Sequence, residues 1–102
     1  MTKVIIRKKV NDTGWPRHTK SGKISRKYEK AHSKANRSAL STFGSKKANA
    51  ISTLVKQIPA GELLGKHTRS GKIIISSKVP KSLRAAIIHH EKVEHQIMTE
   101  KR

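Results

Sequence analysis

The stretch that most constrains the fold is residues 79–98, which carries the best helical pattern in the chain. Pro80 stands where the first turn of a helix tolerates a missing N–H. At about 100° per residue, Leu83, Ala86, Ile87, Val93, Ile97 and Met98 gather into one apolar stripe. His90 and Glu94 fall in the middle of that stripe, Glu91 falls on its flank, and His89 and His95 lie outside it. Burying an ionisable pair costs free energy unless the pair is matched or bound to a metal. Whatever packs on this helix must therefore also answer to His90 and Glu94.

Little else in the chain can build a core. Hydrophobic residues make up 33% of the 102 residues, and the aromatic ones are Trp15, Tyr28 and Phe43. A single domain with a modest core of Ile, Leu, Val and Ala is expected over residues 1–102. Lys and Arg number 24 against 6 Asp and Glu, a formal net charge of +18. Such an excess repels itself unless counterions or an anionic partner are present. A thermophile-like charged surface would bring many Glu as well, and Glu is scarce here. The expected partner is the phosphate backbone of DNA or RNA. The chain has no Cys, which removes disulfides, thiolate zinc sites and cysteine nucleophiles. No apolar run approaches the ~20 residues that span a bilayer, and the run at Val4-Ile5-Ile6 is too short for a signal peptide. The expected setting is cytoplasmic or a virion or ribonucleoprotein particle, with no membrane partner.

Val4-Ile5-Ile6 reads as an edge strand or a basic arm ending in Arg7-Lys8-Lys9. Asn11-Asp12-Thr13-Gly14 reads as a turn, and Trp15-Pro16 as an extended exit from it. The octapeptide from Arg17 to Ile24 returns from Lys66 to Ile73, with six of eight residues identical and Lys exchanged for Arg at the other two. The repeat suggests two related halves, 1–49 and 50–102, each with a polar Ser-Gly turn. Such a turn is a hairpin connection with Gly at positive φ, and its N–H groups and lysines could also cradle a phosphate. Residues 25–40 have helical spacing, with Tyr28, Ala31, Ala35 and Ala39 as a narrow stripe and basic residues around it, a pattern suited to docking on a polyanion. Gly44 should end this helix and Ser45 should cap the next. That helix, 46–58, would bury Ile51, Leu54, Val55 and Ile58. A hairpin over 62–77 turns at Arg69-Ser70-Gly71. The fold class expected is α+β, with about three helices and short β-hairpins.

His90-Glu91-Lys92-Val93-Glu94 places two ligand types at i and i+4 on one helical face, following the strand Ile73-Ile74-Ile75-Ser76. This arrangement resembles the zincin metallopeptidase helix, His-Glu-x-x-His, with Glu94 where the second His is expected. The resemblance covers the last third of the chain. It implies that His90 and Glu94 bind zinc and that Glu91 is the general base, with the third ligand open among His18, His32, His67 and His95. Apart from zinc, no cofactor is expected. Without a metal, His90 and Glu94 would form an i,i+4 pair, and Glu91 and Glu94 could pair with the Lys and Arg excess.

The charge, being a property of the whole chain, points first to a structural nucleic-acid-binding protein, and whether the chain is also an enzyme stays open. Its phosphate contacts would be Arg7, Lys8, Lys9, Arg17, Lys20, Lys23, Arg26, Lys27, Lys46, Lys47, Lys66, Arg69 and Lys72. The alternative is a minimal zincin-like hydrolase. A third reading, motivated by the repeat, is a protein–protein interaction module working within a larger particle. No Walker loop, nucleophile elbow or aromatic RNA-binding motif is present.

Overall fold

The computed structural model describes residues 3–15 and 17–99. Pro16, the second half of the expected extended exit, lies outside them. The order of elements is β1 (Val4–Arg7), α1 (Arg26–Phe43), α2 (Ser45–Gln57), β2 (Gly65–His67), β3 (Ile73–Ser76) and α3 (Lys81–Thr99). The class is α+β, with three helices and one three-stranded sheet among the described residues, the strands ordered β1-β3-β2.

β3 is the central strand because it is the most apolar run in the chain. It pairs parallel with β1, Ile5 facing Ile74, and antiparallel with β2, His67 facing Ile73. Ile73, Ile75 and Ser76 are buried, and the core continues through Leu64, Val79, Leu83 and Ile87. β1 is an edge strand with Val4 and Ile6 exposed, which matches its short length and its basic end.

The two copies of the octapeptide form the same local turn. In the first, the Thr19 N–H bonds the Lys23 carbonyl and the Thr19 hydroxyl meets that of Ser21; in the second, Thr68 does the same with Lys72 and Ser70. The surroundings differ. The second copy is the β2–β3 hairpin, whereas the first is a single bridge, His18 to Ile24, rather than a second hairpin. β-Pairing beyond one bridge needs a neighbouring apolar strand, and here α1 begins two residues after Ile24.

Ser25 caps α1 by accepting the Tyr28 N–H. One residue, Gly44 at φ 90° and ψ 167°, both closes α1 and opens α2. Ser45 lies inside α2 and does not cap it, because only glycine adopts that backbone region readily. No residue of α2 is buried: Ile51 and Leu54, with Ile58 just past its end, lean on the core, and Val55 is 54% exposed instead of buried.

α1 packs most extensively on α3. Ala31 and Ala35 are fully buried. The small-residue stripe thus packs inside the protein, where two alanines let the helices approach closely. Hydrogen bonds from Ser38 to His89 and from His32 to Glu94 show that the two helices run antiparallel.

Candidate metal centre

The α1–α3 contact decides what His90 and Glu94 meet. His32, one position from Ala31, is carried onto α3, and its Nδ1 lies 2.7 Å from Glu94 Oε2. His90 Nε2 also meets Glu94 Oε2, and the two imidazole nitrogens are 3.1 Å apart. Glu94 is 1% exposed, the His90 side chain 14% and the His32 side chain 46%. The group thus runs from the interior to the surface. Three ligand atoms converge with separations close to those on one coordinated ion, since zinc holds N and O ligands at about 2.0–2.2 Å.

Behind this group lies a second. His67 on β2 is fully buried, with Nδ1 2.9 Å from Glu91 Oε1 and 3.8 Å from Glu94 Oε1. The other oxygen of Glu91 faces His90 Nε2 at 4.0 Å. Both trios, His32, His90 and Glu94 and then His67, Glu91 and Glu94, have geometry that could hold a metal ion. Glu91, expected on the flank of α3, is in fact buried, while Val93, Ile97 and Met98 are only half-buried. β2 is the reason: Gly65 lies so close to α3 that a Cβ there would stand 2.7 Å from Ile87 Cγ2 and 3.4 Å from Glu91 Cγ.

Burial alone would raise the Glu94 pKa, but hydrogen bonds from His32 and His90 and the charge on their rings outweigh it and bring it down to about 2. Burial likewise opposes a charged His90, and Glu94 outweighs it, so the His90 pKa is raised. Burial, reinforced by the charges on Glu94 and Glu91, pushes the Tyr28 phenol up. Its hydroxyl, 3.5 Å from His32 Nδ1, stays a hydrogen-bond donor.

Of the other histidines offered as a third ligand, His18 pairs with Asp12 at 2.9 Å and His95 meets the Arg69 carbonyl at 3.1 Å. The sequence marks neither His32 nor His67, which stand far from residue 90. The one available signal for His32 is its place beside the alanine stripe, since small residues mark close helix contacts. His67 has a repeat-based signal: both octapeptide histidines face a carboxylate, His18 facing Asp12 and His67 facing Glu91.

Among the described residues, the expected pairing of Glu91 and Glu94 with lysine or arginine does not form; their partners are histidines. Among the expected phosphate-binding residues, Arg7, Lys8, Lys9, Lys20, Lys23, Arg26, Lys27, Lys46, Lys47 and Lys72 are exposed. Four are engaged by the protein itself: Arg17 bonds Asp12, Lys66 donates to the Thr13 carbonyl, Arg69 lies over the Trp15 ring at 4.8 Å, and Lys47 over the Phe43 ring at 5.5 Å.

The metal-ligand geometry opens onto a cleft of about 1120 Å³ between the helices, lined by Tyr28, His32, Leu40, Ile51, Val55, Ile58, Leu64, His90 and Glu91 among others. Arg17 and Lys56 are the Lys and Arg residues of its wall, against Asp12, Glu29, Glu62 and Glu91. Among the described residues, no helix is long and apolar enough to cross a membrane. Comparison of the chain with protein-family models, with curated proteins and with solved structures returned no match.

Proposed function

We propose that this protein is a metal-dependent hydrolase of zincin-like design, with His32, His90 and Glu94 as ligands to a divalent ion, zinc by ligand type. The observation that carries the proposal is the convergence of two imidazole nitrogens and one carboxylate oxygen at a cleft wall. Two histidines and a glutamate, with the remaining direction left to solvent, are a ligand set of catalytic zinc sites rather than structural ones. The ion supplies Lewis acidity and lowers the pKa of a bound water.

The chain's residues then have distinct tasks. Glu91 turns Oε2 toward the centre, where it takes the proton of the attacking water and returns it to the leaving group. Tyr28 presents a hydroxyl beside His32, where it can donate to an oxyanion. The wall of the cleft is largely apolar and its charges are of both signs, which suits an amide in an uncharged segment better than a phosphodiester. Tag-free protein should carry at least one equivalent of zinc, lost in His90→Ala and Glu94→Ala, and should cleave fluorogenic peptides. Protein that takes up no metal, with stability unchanged in His90→Ala, would overturn the proposal.

A second reading, binding to the phosphate backbone of nucleic acid, is favoured by a separate observation. Among the described residues, Arg17 and Lys78 are the Lys and Arg residues within 4.0 Å of a carboxylate, so most of the cationic surface has no internal partner. Affinity for duplex DNA or RNA that falls steeply between about 50 and 200 mM salt is expected. Absence of binding at low salt removes this reading and leaves the hydrolase untouched.

A further inference from the structure

We infer that the centre is dinuclear: a second divalent ion binds between His67 Nδ1, Glu91 Oε1 and Glu94 Oε1, and the Glu94 carboxylate, common to both trios, bridges the two ions. This inference rests on the proposed first site and extends it.

The geometry is that of a bridge. Glu94 directs Oε2 at His32 and His90, and Oε1 toward His67 at 3.8 Å. Glu91 directs Oε2 at His90 at 4.0 Å and Oε1 at His67 at 2.9 Å. Glu94 therefore spans from the outer trio to the inner one. Paired metal sites stand about 3.5–4 Å apart, a distance that a shared carboxylate matches.

A second, independent observation points to a missing ligand. Glu94 Oε1 is buried and has no hydrogen-bond partner, in a side chain that is 1% exposed, and it faces His67 Nδ1. An unsatisfied buried carboxylate oxygen costs free energy that a cation removes. Two carboxylates are buried together, and among the described residues no Lys or Arg nitrogen lies within 4.0 Å of either. His67 Nε2 is also buried without a partner, beside the Trp15 and His95 rings, each nearly perpendicular to its own. The tautomer with the proton on Nε2 can direct that N–H at a ring face and leaves the Nδ1 lone pair free for an ion. With one ion bound, Glu91 is available as the base. With two, its Oε1 becomes a ligand while Oε2 still faces the first ion.

The test is a titration of tag-free, metal-free protein with Mn²⁺, followed by calorimetry and electron paramagnetic resonance. Two equivalents with an exchange-coupled spectrum are expected, and His67→Gln should bind one equivalent with no coupling. One equivalent in the wild-type protein overturns the second site and leaves the first standing. No binding overturns both. Two equivalents without coupling overturn the bridge. Should His67→Gln fail to fold, the wild-type stoichiometry and coupling decide the matter by themselves.

Discussion

His90 and Glu94 shift each other in opposite directions, and that ties stability to pH. Glu94 is held down from 4.5 to about 2, so its contribution is present above pH 4.5 and is lost as pH falls through about 2. His90 is raised from 6.5, so its contribution is full below pH 6.5 and is lost as pH rises through its folded value. Metal-free protein should therefore melt highest between about pH 4.5 and about pH 6.5, with Tm falling on both sides. Zinc replaces the His90 proton, so added zinc should raise Tm most on the alkaline side. Calorimetric scans across pH, with and without zinc, check both halves. A Tm that does not respond to zinc at pH 8 would contradict the assignment of the ligands.

The elements carry unequal shares of the stability. β3 buries Ile73, Ile75 and Ser76, whereas α2 buries no residue. Ile75→Ala should cost about 2–5 kcal/mol and Val55→Ala less than about 0.5 kcal/mol, read from urea unfolding. α2 amides should exchange with solvent faster than those of α3, because its face has few apolar contacts to lose. The approach of β2 to α3 is tight enough that Gly65→Ala forces Ile87 to shift, with an expected cost of about 1–3 kcal/mol. The same substitution should weaken metal uptake, since Glu91 lies against that glycine. Much of this architecture was legible from the pattern of residues. The helical spacing of 79–98, the apolar run at 73–75 and the Ser-Gly turns located α3, β3 and the hairpin. The burial of α2 was not legible, because helical spacing shows which face is apolar and says nothing of whether anything covers it.

For the molecule as a whole, the net charge of +18 on 102 residues opposes the compact state. Raising sodium chloride from about 50 to about 200 mM should screen that repulsion and raise Tm, by about 4–8 °C for each kcal/mol removed. An unchanged Tm would mean that the charges are spaced widely enough to ignore one another. The first turns of α2 and α3 hold no acidic residue, so lysines there oppose the helix dipole. An anion such as polyphosphate should therefore stabilise the protein more than sodium chloride at equal ionic strength. This charge is largely outside the cleft, which separates the surface that would meet a polyanion from the apolar wall beside His32 and His90.

What the sequence determined by itself is local. A His/Glu pair four residues apart on one helix, a preceding strand and a turn chemistry repeated at two places all follow from short-range spacing, because backbone geometry sets which neighbours share a face. The partners of that pair were a tertiary decision. His32 reaches Glu94 across 62 positions, and His67 reaches Glu91 across 24. Neither approach has a periodicity to reveal it. They exist because two small side chains let α1 close on α3, and because a glycine lets β2 lie against the same helix. Where backbones come near each other, the side chains that happen to stand beside them become a site.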